Sequence, residues 1–215
     1  MFVRLKALTY IYELLKAKPE GEQNLLTLLV NKLGDQEKKI ASKASHLLSL
    51  LLQEHPAMKL IVIKETERLI FRVNASEKAK YYAIDFINQI VLSNSPKDKS
   101  CANYLINIYF SVFEGLVSNS SHQELDAELK DGVNVKIMAG LLTGVNRAFP
   151  YTDTDQKIFE KHIETLFRIC HMGTFNTSVQ ALTLIFQVQT HHQVKFSLLI
   201  IRLYPIGFIV FYTIF

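Results

Sequence analysis

The chain has 215 residues, 49% of them hydrophobic and 20% charged, with a formal net charge of +4. So much apolar surface excludes wholesale disorder and allows one sizeable core. The near-balanced charge is no broad electrostatic footprint for nucleic acid, and two cysteines, Cys101 and Cys170, cannot build a disulfide framework and read as buried, reduced thiols.

Helical spacing runs along most of the chain. Leu5, Leu8, Ile11, Tyr12 and Leu15 recur three or four apart and predict an amphipathic helix. Arg4, Lys6, Glu13 and Lys16 interrupt what a signal peptide would keep as an unbroken apolar run. Residues 20–33 repeat the pattern, with Leu25, Leu28, Leu29 and Leu33 on one face. Residues 36–54 follow, with Ile40, Ala44, Leu47, Leu48, Leu51 and Leu52 inward and Asp35 as N-cap. Pro56 opens a helix to about residue 72, at a position where its missing N–H costs little. Ser76 caps the next, 76–92, with Glu77 near its positive end and a stripe of Tyr81, Ile84, Ile87, Ile90 and Val91. Residues 93–99, with Pro96, read as a turn, and 99–117 as a helix.

The pattern breaks at residues 118–135, where Ser118, Asn119, Ser120, Ser121 and several acids predict an exposed loop. Helices resume at 136–148, 155–171 and 175–189, the second capped by Asp153 or Thr154. No segment alternates with a period of two, so strands are not expected. The pairs 36–54 with 56–72 and 76–92 with 99–117 share a rhythm of about forty residues, as in HEAT or armadillo arrays. The expected fold is therefore all-α, a segment of an α-solenoid, with a compact helical bundle as the alternative. It divides into repeats at 1–117, the loop at 118–135, further repeats at 136–189, and an atypical hydrophobic tail at 190–215.

Chemistry-bearing patterns are sparse. Cys170–His171 and His191–His192 are adjacent in sequence and diverge on a helix, and no spacing suits a metal. Gly140 and Gly144 form a GxxxG pattern, which in a soluble helix marks close packing against a neighbour. The acids are scattered on lysine-rich faces, and no pair is set for general acid–base work. Neither an enzyme activity nor a cofactor is expected. More suggestive is the basic set Lys32, Lys38, Lys39 and Lys43. A second set, Lys78 and Lys80, lies beside Tyr81 and Tyr82. Cations next to aromatics can hold phosphates and stack on bases, so both sets are candidate RNA contacts, although solvated faces look the same. Arg147 can bond free carbonyls at a helix end, and Asn146 can bond nearby backbone. The same two residues are candidate partner contacts.

The stretch from Gly140 to Tyr151, GLLTGVNRAFPY, resembles the signature of the CCAAT-binding-factor family. Lys32–Leu48 (KLGDQEKKIASKASHLL), His55–Lys59 (HPAMK) and Lys78–Ser93 (KAKYYAIDFINQIVLS) agree with it. So do His162–His171 (HIETLFRICH) and Phe175–Val188 (FNTSVQALTLIFQV). The resemblance covers about three quarters of the chain. It implies a nuclear and nucleolar scaffold in large (60S) ribosomal subunit biogenesis and rRNA processing. The implied partners are nucleolar complex assembly factors, pre-60S particles and pre-rRNA. The family's older label implies the alternative, a regulator binding CCAAT-containing DNA. No zinc finger, basic zipper or homeodomain-like pattern supports that alternative.

The resemblance fades after about Gln189. The segment KFSLLIIRLYPIGFIVFYTIF nearly qualifies as a membrane span, but Arg202 would lie near mid-bilayer and Pro205 would kink it. The tail is read as an unnatural end, a translated intron or truncated gene model, ahead of a membrane anchor or a hydrophobic cap on the array.

Overall fold

The computed structural model describes residues 2–17, 20–118, 132–152, 162, 164–170 and 174–192. All regular structure among them is helical. In chain order the helices are α1 (Phe2–Ala17), α2 (Glu22–Asn31), α3 (Lys38–Glu54), α4 (Lys59–Ile70), α5 (Glu77–Asn88), α6 (Pro96–Ser118) and α7 (Gly132–Ala148). Residues 164–170 form α8, and Phe175–His192 form α9. Short 3₁₀ turns at Lys32–Gly34, Pro56–Met58 and Phe149–Tyr151 join or end helices.

The helices stack in two layers. Helix α1 packs on α3, and α5 on α7, in one layer; α2 packs on α4, and α4 on α6, in the other. The turn Lys32–Gly34 wedges between α3 and α5. Hydrogen bonds between successive units repeat the period. Tyr12 and Lys16 bond Glu54, 42 and 38 residues on; Thr27 bonds Glu65 at 38; Lys59 bonds Asp98 at 39. This is the all-α repeat expected from the rhythm of about forty residues, and the first unit begins with α1 and α2. One apolar core runs through the units, from Leu8 and Leu29 through Leu48, Ile63 and Phe110 to Leu142 and Leu184.

Local sequence explains the helix ends. Gly21 precedes α2 with φ +72°, a left-handed conformation that glycine adopts without strain. Ser76 caps α5 as expected: its hydroxyl accepts the Ala79 N–H at 3.2 Å. Pro56 stands at the start of its 3₁₀ turn. Asp35 does not cap α3. That helix starts at Lys38 behind Glu37, which provides no side-chain cap. The Asp35 carboxylate accepts the Glu37 N–H at 3.1 Å and meets Lys32 at 3.2 Å and Arg4 at 3.4 Å. Burial pushes the Asp35 carboxyl up, but these donors outweigh it and hold it below the usual value.

Other boundaries differ from the expectation. The turn expected at 93–99 ends early, because Pro96 opens α6 and Ser95 caps it, its hydroxyl accepting the Asp98 N–H at 3.2 Å. Helix α5 stops at Asn88, which leaves Val91 74% exposed instead of in the stripe. Helix α2 turns Leu26 and Val30 into the core and leaves Leu28 52% exposed, a rotation of the expected face. Helix α7 begins at Gly132, inside the expected loop, and Ser118 still belongs to α6. Residues 119–131, the caps Asp153 and Thr154, and the tail from 193 onward lie outside the described residues. Among the described residues no helix is long and apolar enough to cross a membrane.

Candidate functional site

Helix α7 and the 3₁₀ turn after it carry the stretch Gly140–Tyr151, and the helix is locked to two neighbours by polar contacts within apolar surroundings. The Asn88 amide of α5 donates to the Gly140 carbonyl at 2.8 Å. The Tyr109 hydroxyl of α6 donates to Asn88 Oδ1 at 2.7 Å. Burial raises the Tyr109 pKa above its ordinary value and keeps this hydroxyl a donor. The closeness depends on Gly144, where a Cβ would run into Asn88 Oδ1 and the Tyr109 ring. The GxxxG pattern therefore marks close helix packing, as expected. Its partners Asn88 and Tyr109 carried no signal of their own; a polar residue inside the α5 stripe was the available hint. Leu141, Leu142, Val145 and Phe149 are all buried along one stripe of the same segment.

The basic sets separate on inspection. Lys32 is tied to Asp35 at 3.2 Å, and Lys80 to Glu77 at 2.6 Å. Lys38, Lys39 and Lys43 of α3 make no ion pair among the described residues. They line a shallow depression with Glu37, Ser42 and His46. Lys78 places its ammonium over the Tyr82 ring, 5.9 Å from the centroid. Tyr82 and Tyr81 are half-buried neighbours with ring centroids 5.7 Å apart.

A groove connects these groups to α7. Between α3 and α5 it has a volume of ≈ 760 Å³ and is lined by residues that include Lys38, His46, Tyr81, Tyr82, Asp85 and Lys136. It continues between α5 and α7 past Asp85 and Lys136 to Thr143 and Arg147. Lys136 and Arg147, like the α3 lysines, form no ion pair among the described residues. Arg147 is exposed at the groove's end and makes no hydrogen bond to the carbonyls of α7. It stands in the last turn of α7, where its charge complements the helix dipole, so only the expected bonding to free carbonyls is missing. Asn146 is half-buried, and its Oδ1 is shielded without a hydrogen-bond partner, so it does not bond nearby backbone through that atom. Lys136 was missed from sequence because it lies alone, far along the chain from either basic set.

Other polar groups serve packing. Lys59 and Asp98 form a buried pair at 2.9 Å, and Asp98 also accepts the Ser93 N–H at 2.9 Å and the Ser93 hydroxyl at 2.6 Å. Burial opposes the Asp98 charge, but Ser93 and Lys59 outweigh it and hold its carboxyl below the usual range. Tyr104 donates to Glu67, and that bond, with burial, pushes the phenol up to about 12. Both cysteines are free and buried, and burial pushes the Cys170 thiol up to about 12, which makes it a poor nucleophile. No group of three metal-ligating side chains occurs among the described residues.

No family model matches the chain. Among curated proteins it is 48% identical to human CCAAT/enhancer-binding protein zeta, over 88% of this chain and 17% of that protein. It is 43% identical to ribosome biogenesis protein NOC1 of Chaetomium thermophilum, over 89% of this chain and 20% of that one. With nucleolar complex protein 1 of Drosophila melanogaster the identity is 37%, over 81% of this chain and 14% of the relative. The chain thus spans a quarter or less of the length of the relatives it matches. At such identity across most of its length, the chain is similar to a segment of CCAAT/enhancer-binding protein zeta and of nucleolar complex protein 1, in agreement with the CCAAT-binding-factor family that its α7 stretch resembles.

Proposed function

We propose that this chain is a helical-repeat segment of a ribosome-biogenesis factor that works in the nucleolus as a non-catalytic scaffold for the large subunit. The observation that carries the reading is homology over most of the chain to proteins named for ribosome biogenesis and for a nucleolar complex. The architecture supports it: stacked helical units present long surfaces for binding, and the described polar groups serve packing and surface charge. On this reading the segment holds other nucleolar assembly factors, pre-60S particles and pre-rRNA in place during maturation. Lys38, Lys39, Lys43 and Lys78 would meet RNA, while Lys32 and Lys80 already hold carboxylates and contribute less. Asn146 and Arg147 would meet a bound partner, protein or RNA, at the edge of α7.

The second reading, recognition of CCAAT-containing DNA, rests on the printed name of the human relative. Base-specific readout needs side chains presented into a groove of the duplex, commonly from one projecting helix. Here the cations are spread over three packed helices. The test is affinity for a CCAAT duplex against a scrambled duplex at physiological salt. The scaffold reading expects equal, weak, salt-sensitive binding to both. A preference of about a thousandfold for CCAAT would overturn it.

A further inference from the structure

Six described cations are tied to carboxylates, and five others line one groove system. Arg4, Lys16, Lys32, Lys59, Arg68 and Lys80 each hold a carboxylate. Lys38, Lys39, Lys43, Lys136 and Arg147 hold none among the described residues, and all of them border one groove system. The depressions are continuous. Lys38, Ser42 and His46 are shared by the first two, and Tyr81, Asp85, Gln89 and Lys136 by the second and third. Helices α5 and α7 pack directly, at the usual spacing of about 8–10 Å, and the Lys32–Gly34 turn fills the gap between α3 and α5, so the track crosses more than one helix spacing. Two acids border it. Asp85 accepts the Gln89 amide at 3.0 Å, and Glu37 stands at the α3 rim. In the middle of the track the half-buried rings of Tyr81 and Tyr82 reach the groove, with the Lys78 ammonium over Tyr82.

We infer that this track is a binding site for single-stranded RNA, running across α3, α5 and α7. The inference rests on the scaffold reading and names its ligand and route. Unpaired cations along the track take the phosphates: Lys38 at one end, Lys136 in the middle, Arg147 at the other. Tyr81 and Tyr82 supply ring faces for unstacked bases, which a duplex would keep inside its helix. An acidic peptide would use the cations but not the rings. The surface amide of Gln89 and the serines Ser42 and Ser45 add neutral donors along the same floor.

The test is fluorescence anisotropy of the 215-residue chain with a labelled twelve-nucleotide oligouridine. A duplex RNA of the same length and polyglutamate serve as competitors. Three variants are compared with wild type: the triple Lys38→Gln, Lys136→Gln, Arg147→Gln; Tyr82→Ala; and Lys97→Gln as an exposed control on α6. Circular dichroism checks that each keeps its helicity. The triple variant should lose at least about tenfold in affinity and flatten the slope of log K against log salt by about 2, the value for three phosphate contacts on a single strand. Tyr82→Ala should lose about tenfold with an unchanged salt slope, because it removes stacking and no charge. Lys97→Gln should bind as wild type.

Equal affinity and slope for the folded triple variant would overturn the inference. So would an unchanged Tyr82→Ala, or polyglutamate competing as well as oligouridine, which would make the track an acidic-protein site. The triple substitution placed in the full-length family protein separates this inference from the scaffold reading. If the wild-type protein sediments with pre-ribosomal particles and the variant does so equally, the track is wrong and the scaffold stands. If the wild-type protein fails to sediment with them, the scaffold reading itself falls.

Discussion

A methyl group added at Gly144 would fall against Asn88 Oδ1 and the Tyr109 ring, whereas one added at Gly140 would meet Ile84 Cγ2 at an ordinary 3.5 Å. Gly144→Ala is therefore expected to destabilise by about 1–3 kcal/mol through overpacking and loss of the Tyr109–Asn88 bond. Gly140→Ala should be neutral or stabilising by up to about 1 kcal/mol, since alanine is the better helix former. Urea midpoints for the two variants would separate them; equal shifts would show that the two glycines do not differ in packing. A second expectation concerns Asp98. Removing its charge by Asp98→Asn strands the Lys59 ammonium, which is only 14% exposed, and should cost about 3–5 kcal/mol near neutral pH. The folded-state pKa of Asp98 is lowered, so its contribution is full above the ordinary carboxylate range and is lost as pH falls through the folded value. Thermal midpoints of wild type and Asp98→Asn should thus converge below about pH 4. A gap that stays constant down to pH 3 would remove the charge from the explanation.

Elements that bury a regular stripe were legible in the sequence, and their ends were less so. The α3 stripe from Ile40 to Leu52 and the α7 stripe of Leu141, Leu142, Val145 and Phe149 both face the core as periodicity required. Leu142→Ala should cost about 2–5 kcal/mol, read from the denaturation midpoint. Ser76→Ala should cost α5 about 0.5–2 kcal/mol, because the Ala79 N–H loses its acceptor. Boundaries went astray where a side chain had two uses. Asp35 is a good N-cap by type, but the 3₁₀ turn before α3 draws its carboxylate to Lys32, Arg4 and the Glu37 N–H. Pro96 reads as a turn residue until Ser95 is seen capping the helix that it opens. In α2 four leucines left the inward face ambiguous, and packing on α1 and α4 chose Leu26 over Leu28.

At the scale of the molecule, the forty-residue rhythm became a physical ladder. Tyr12–Glu54, Thr27–Glu65 and Lys59–Asp98 tie the first unit to the second and the second to the third at nearly the same separation. The groove was only half legible. Lys38, Lys39, Lys43 and Lys78 could be picked out because they cluster in sequence, and Arg147 stood out within the α7 stretch. Their alignment with Lys136 and Tyr82 needs three helices that are remote in the chain to be packed side by side. No periodicity within a single helix reports that. Which lysines are already spent on carboxylates, such as Lys32 and Lys80, is likewise a property of side-chain geometry.

As proposed above, this stack of helices acts as a scaffold in large-subunit assembly. The most direct test of that role is gradient sedimentation of the tagged full-length family protein from the same source, with the gradient fractions probed for large-subunit precursor RNA. The scaffold account predicts that the protein peaks with those precursors and is stripped from them as salt is raised. A protein that stays at the top of the gradient at physiological salt, apart from every precursor fraction, would contradict it.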